Sequence, residues 1–100
     1  MQNVFKALAD PTRRRILELL RAREMTAGEI ASHFSVSKPT LSGHFAILRA
    51  ADLVTAEKSG TQITYRLNVS VVEETLLAFA DAMGVGLTKS SSARRRAAKA

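Results

Sequence analysis

The sequence predicts a mainly α-helical domain that carries one β-hairpin. Three observations predict it. Apolar residues recur at helical spacing in five stretches, four of them opening on a helix-start residue, Asp10, Thr26, Ser37 or Ser70. Between the last two stretches, "LVTAEKSGTQITYRL" alternates apolar and polar residues on either side of Ser59-Gly60. A chain of 100 residues with 46% hydrophobic residues builds one domain whose core is modest, so surface shared with a partner chain is expected.

The first stretch is "NVFKALA", in which Val4, Phe5 and Leu8 share one helical face. The second, "DPTRRRILELLRA", has Asp10 as N-cap and Pro11 at the first helical position, where a missing N–H costs nothing. Ile16, Leu17 and Leu20 form its inward stripe. Arg13, Arg14 and Arg15 oppose the dipole at that end of the helix, so they are expected on a solvated, salt-bridged face rather than on a nucleic acid.

In "MTAGEIASHF", Thr26 and Glu29 stand at the spacing of a capping box, and Ile30 and Phe34 lie one turn apart on the inward face. "SVS" ends this short helix, and Ser37 caps the next. There Leu41, Phe45 and Leu48 recur at i, i+4 and i+7, which turns Lys38, Pro39, Thr40, Ser42, Gly43 and Ala46 outward. Two short helices joined by a tight turn, the second with a small, polar and cationic N-terminal half, match a helix-turn-helix whose second helix enters the DNA major groove. Bulky side chains would hold such a helix off the groove floor. The hydroxyls of Ser37, Thr40 and Ser42 can bond to bases or phosphates, while Lys38 and the N–H groups of the helix start attract phosphate.

If Ser59-Gly60 is a two-residue turn, Val54 faces Tyr65 and Ala56 faces Ile63 on one side, with Thr55–Thr64 and Glu57–Gln62 on the other. A hairpin directly after a recognition helix is a wing, completing a winged helix-turn-helix. Its tip, Lys58, Ser59, Gly60, Thr61 and Gln62, can reach an adjacent minor groove or the backbone; the plainer alternative is a hairpin that only closes the core. Ser70 then caps "VVEETLLAFADAMG", which ends at Gly84. Val72, Leu76, Phe79 and Met83 make its stripe, and Val71, Leu77 and Ala80 widen it beyond one contact face. Val72, Leu76, Phe79, Ala80 and Met83, with Val4, Phe5 and Leu8, are therefore expected to form a two-fold interface that sets two recognition helices about 34 Å apart. Packing on the monomer's own core is the alternative.

Charge is unevenly placed. The net charge is +6, but residues 1–85 hold ten Lys/Arg against all nine acids, and the other five cations lie in the tail "GLTKSSSARRRAAKA". Residues 1–85 are thus expected to be the folded domain, and residues 86–100 a disordered basic tail that either strengthens phosphate binding or only aids solubility. The absence of cysteine excludes disulfides, thiolate metal sites and redox sensing by cysteine pairing. No apolar run is long enough to span a membrane and "MQNVFKALADP" lacks the order of a signal peptide, so a cytoplasmic protein without membrane insertion is expected.

The runs "VFKALADPTRRRILELL", "MTAGEIASHFSVSKPTLSGHFAILRAADLV" and "EKSGTQITYRLN" resemble the ArsR family of winged-helix repressors over about residues 3–83, with Asp10-Pro11, Ser37-Lys38 and His44 among the coinciding positions. Within the family the chain looks closest to the SdpR-like autorepressors. The resemblance implies a dimer with five helices, the hairpin lying between the fourth and fifth, that represses transcription by covering an operator, often its own. It also implies DNA contacts from Ser37, Lys38, Thr40, Leu41, Ser42 and His44, supplemented by the wing. Metal-sensing members carry cysteines near the start of the third helix, where this chain has Met25, Thr26 and Ala27, or histidine and carboxylate ligands on the last helix, where it has only Glu73, Glu74 and Asp81. No metal and no other cofactor is therefore expected.

His33 reads as a surface or packing residue, and His44 either touches the DNA backbone or caps the packing between helices. An enzyme is not expected, because no nucleophile sits in a recognised context and there is no phosphate-cradling Gly-rich loop. The expected function is that of a homodimeric, sequence-specific repressor on a palindromic, double-stranded DNA operator. Its release would fall to a sequestering protein, a small apolar ligand or dimer concentration. A winged-helix module for protein–protein interaction, or a non-specific nucleic-acid binder driven by the tail, are the alternatives.

Overall fold

The computed structural model of the protein describes residues 2–87. The elements are α1 (Gln2–Leu8), α2 (Pro11–Ala22), β1 (Met25–Thr26), α3 (Ala27–Ala31), α4 (Lys38–Ala50), β2 (Val54–Ser59), β3 (Gln62–Leu67) and α5 (Val69–Ala82). Residues through Val69 form one compact unit, and a second begins at Ser70. The basic tail beyond residue 87 lies outside the described residues.

Local chemistry starts each helix of the first unit. The Asp10 side chain accepts from the Arg13 backbone N–H at 3.1 Å, with Pro11 opening α2. Thr26 and Glu29 make the full capping box, Glu29 N–H to Thr26 Oγ1 at 3.1 Å and Thr26 N–H to Glu29 Oε1 at 2.9 Å. This box starts a helix of only five residues, so Phe34 falls beyond its end and is half-buried. The core is built from the anticipated stripes: Ile16 and Leu20 of α2, Ile30 of α3, and Leu41, Phe45 and Leu48 of α4 are buried.

Three expectations are corrected here. The sheet has three antiparallel strands in the order β1-β3-β2, because Met25 and Thr26 pair with Tyr65 and Thr64. The hairpin register is shifted by two residues: Val54 pairs with Leu67, Ala56 with Tyr65 and Ser59 with Gln62, so the turn is Gly60-Thr61. Gly60 has φ +63° and Thr61 no positive φ, which suits a type II′ turn with glycine as its first central residue. Because the shift is even, each side chain keeps its expected face, and Val54 and Tyr65 are buried. Finally, Arg13 is not on a solvated face. It is 9% exposed and donates from Nε to the Ala7 carbonyl at 2.8 Å and from Nη2 to the Lys6 carbonyl at 2.9 Å. These are end carbonyls of α1 with no partner in their own helix, and a guanidinium satisfies two of them together. Arg14 likewise donates to the Leu8 carbonyl at 2.7 Å, whereas Arg15 makes the expected surface pair, with Glu18 at 3.6 Å.

In the second unit, α5 starts one residue before Ser70, which therefore lies inside the helix rather than capping it. Its end is a Schellman motif: Gly84 at φ +79° lets Val85 N–H reach the Ala80 carbonyl at 2.7 Å and Gly84 N–H the Asp81 carbonyl at 3.0 Å. Of the residues expected at a dimer interface, Val4 and Ala80 are buried within the chain, at 6% and 5% exposure. Leu8 and Val72 are half-buried, while Phe5, Leu76, Phe79 and Met83 are exposed. No helix of the described residues is long and apolar enough to cross a membrane.

Candidate nucleic-acid interface

The candidate surface is built from the start of α4. Ser37 is its N-cap, accepting from the Thr40 backbone N–H at 3.3 Å and donating its hydroxyl to Thr40 Oγ1 at 2.9 Å. Pro39 has no N–H and the Leu41 N–H is bonded to the Ser37 carbonyl, so within that turn only the Lys38 amide is left for a phosphate. The helix start therefore offers an anion less backbone attraction than a bare helix terminus.

Lys38, Pro39, Thr40, Ser42, Gly43 and Ala46 are all exposed on one side, and Leu41, at 4% exposure, lies on the other. Leu41 thus packs in the core. A Cβ built on Gly43 would have nothing within 4 Å, so no packing inside the chain requires glycine there. Between α3 and α4, Ala27, Gly28 and Ala31 face Lys38, Leu41, Ser42 and Phe45 across a cleft of about 240 Å³. That is below the roughly 300 Å³ at which ligand pockets begin.

The wing is held at its root and free at its tip. Tyr65 of β3 stacks on Phe45 of α4, and the Asn68 N–H bonds to the Leu53 carbonyl at 2.9 Å. Arg66 pairs with Glu24 just before β1, and this carboxylate holds the guanidinium charged above its usual range. Lys58, Ser59, Gly60, Thr61 and Gln62 are all exposed around the turn.

His44 packs against the start of α2. Its side chain is 15% exposed, its Nδ1 lies 3.1 Å from Arg13 Nη1 and 3.9 Å from Asp10 Oδ2. The Arg13 backbone N–H, with help from the His44 and Arg13 charges, holds the Asp10 carboxyl below its ordinary value. Arg13 is the residue that sequence reasoning missed. The available signal was the two-residue gap between the end of α1 and the start of α2, which brings the last carbonyls of α1 within reach of a long donor in the first turn of α2. His33 is exposed. Among the described residues no three His, Asp or Glu side chains come together as a metal site would need.

Residues 10–56 match the family model for bacterial regulatory proteins of the arsR family. The chain is 49% identical over 76 residues to the transcriptional repressor SdpR of Bacillus subtilis (strain 168), covering 76% of this chain and 84% of that protein. It is 36% identical over 74 residues to an arsenical resistance operon repressor of Staphylococcus aureus, covering 74% and 71% of the two chains. Among solved structures, an ArsR-like transcriptional regulator from Rhodococcus sp. RHA1 superposes with a TM-score of 0.72 at 31% identity, over 97% of this chain and 86% of that one. Five helices that include a recognition helix, a wing rooted against it and this depth of similarity together place the chain in the arsR family of bacterial transcriptional regulators, which are winged helix-turn-helix DNA-binding proteins and not enzymes.

Proposed function

We propose that this protein is a homodimeric repressor that covers a palindromic operator, with α4 in the major groove and the wing tip on the neighbouring minor groove or backbone. The observation that carries the reading is the exposed half of α4, where Lys38, Thr40, Ser42 and Gly43 are small or cationic and Gly43 serves no packing need of the chain. A mid-helix glycine costs about 0.5–1 kcal/mol relative to alanine, so its use here suits close approach by an external surface. Phe5 on α1 and Leu76, Phe79 and Met83 on α5 supply exposed apolar surface for a second copy. The chain has no cysteine, so release would not run through a thiolate metal site and falls to a sequestering protein, a small ligand or dimer concentration.

The test is selection of genomic fragments on the purified protein, its own upstream DNA included, followed by gel retardation. A Ser42→Arg variant should lose about 1–3 kcal/mol on the selected duplex while binding random DNA as before. Deletion of residues 87–100 should weaken all duplexes alike and flatten the salt dependence. Failure to retain any fragment over random DNA, or a single-chain species in sedimentation at micromolar protein, would refute the reading.

A further inference from the structure

We infer that Arg13 is a positioning residue for DNA binding, whose guanidinium ties the exposed half of α4 to the end of α1 without itself meeting DNA; the inference rests on the DNA-binding reading above. That half of the helix is thinly held. Of residues 38–44 only Leu41 is buried, with Phe45 and Leu48 anchoring the half that follows. At about 3.6 residues per turn, Ser42 and His44 lie on opposite sides of the stripe that these three make. The Ser42 side borders the cleft, where the small residues Ala27, Gly28 and Ala31 leave room beside the helix. Gly43 stands between the two and adds no side chain to brace it.

The hold comes from the His44 side. Arg13 Nη1 lies 3.1 Å from His44 Nδ1, and among the described residues no other side chain from outside α4 and its cap hydrogen-bonds residues 38–44. Asp10 Oδ2 is 3.9 Å from the same nitrogen, beyond hydrogen-bond range, and accepts the Arg13 backbone N–H instead. The guanidinium has little freedom to turn away. Its Nε and Nη2 are bonded to the Ala7 and Lys6 carbonyls, and at 9% exposure a lost partner is not replaced by water. A planar fork fixed to α1 by two of its nitrogens thus sets where the third meets α4. Capping α1 alone would use the first two and leave His44 out. A guanidinium this buried neutralises no phosphate, so its removal lowers affinity through the placement of α4 and not through charge.

The test uses the full chain and the duplex recovered by the selection above. Arg13→Lys keeps the charge but not the fork, so it should weaken the selected duplex by about tenfold and random duplex by less, with the salt slope unchanged. In the free protein, amide exchange of Arg13→Lys should quicken over residues 38–44 while β2 and β3 keep wild-type protection. His44→Phe keeps a ring without an acceptor and leaves the α1 carbonyls bonded. It should quicken the same amides, and adding Arg13→Lys to it should weaken binding no further. His44→Asn, whose side-chain oxygen takes the place of Nδ1 as acceptor, should restore wild-type exchange. Unchanged exchange over residues 38–44, equal loss on selected and random duplex, or a salt slope lowered by about one would overturn the inference while leaving the DNA-binding reading intact. Should Arg13→Lys fail to fold, exchange in the two His44 variants decides the matter alone. If no duplex is retained at all, it is the DNA-binding reading that fails, and the exchange pattern still tells whether Arg13 holds α4.

Discussion

The phenol ring of Tyr65 lies against the ring of Phe45, centroids 4.3 Å apart and planes inclined by 23°. One ring belongs to β3, the central strand of the sheet, and the other to α4, so this contact helps join the wing to the recognition helix. Burial pushes the Tyr65 hydroxyl above its ordinary value, and the chain has one tyrosine and no tryptophan, so phenolate absorbance follows this contact alone. The native protein should ionise Tyr65 at higher pH than the urea-unfolded chain does. The unfolded chain then releases its proton first, and stability should decline as pH rises above about 10. Phe45→Ala should cost about 3–5 kcal/mol by urea unfolding and return Tyr65 to its ordinary titration range. An unmoved tyrosine titration in that variant would show that the stacking does not shield the hydroxyl.

Gly43 separates folding from binding. Its Cβ position is open, with nothing within 4 Å, so Gly43→Ala should raise stability by about 0.5–1 kcal/mol. Against DNA the same methyl enters a close interface, where overpacking costs about 1–3 kcal/mol. A more stable protein that binds its selected duplex more weakly is the expected outcome, read by thermal melting and gel retardation. Equal or tighter binding would mean that α4 does not approach DNA closely at this position.

Much of the fold was legible because its signals are local. Asp10, Thr26 and Ser37 cap helices within three residues of themselves, and the stripes Ile16–Leu20 and Leu41–Phe45–Leu48 need only a helical period to be read. What escaped depends on distant partners. Met25 and Thr26 form a strand of two residues, too short to alternate, which exists only because Tyr65 and Thr64 lie beside it. The hairpin faces were readable from alternation, but the register was not, since Ser59-Gly60 and Gly60-Thr61 both suit a tight turn and only the positive φ at Gly60 selects between them. The candidate interface divides the same way. Lys38, Thr40, Ser42 and Gly43 are exposed as their spacing implied, while the hold of Arg13 on His44 spans 31 residues and left no pattern in the chain.

Asp52 marks a small reserve of strain behind the recognition helix. It stands at φ +58° just after α4, where its N–H bonds to the Arg49 carbonyl at 2.9 Å and the Leu53 N–H to the Leu48 carbonyl at 3.1 Å. This is the same end motif that Gly84 makes after α5, built here on a residue with a Cβ. Left-handed backbone costs an ordinary residue about 1–2 kcal/mol, with aspartate among the more tolerant. Asp52→Gly should therefore raise the urea midpoint, while Asp52→Val should lower stability by about 1–2 kcal/mol. A stabilised Asp52→Val would show that this turn is not held at positive φ.

Acid should loosen the protein through its helix caps. Asp10 is held below its ordinary value first by the Arg13 backbone N–H and then by the neighbouring charges, and Glu29 first by the Thr26 backbone N–H and then by Arg23. Both carboxylates lose their protons more readily when folded than when unfolded, so each stabilises the fold fully above the unfolded value and progressively less as pH falls through the folded one. Stability should thus decline below about pH 4, and an Asp10→Asn, Glu29→Gln double variant should show a flatter decline than wild type by urea unfolding from neutral pH to about pH 3. Both caps lie close to α4, since Asp10 starts the helix whose Arg13 bonds His44, and Glu29 starts α3, which packs beside α4. Identical acid slopes in wild type and double variant would assign the decline to other carboxylates and leave the caps as neutral-pH hydrogen bonds only.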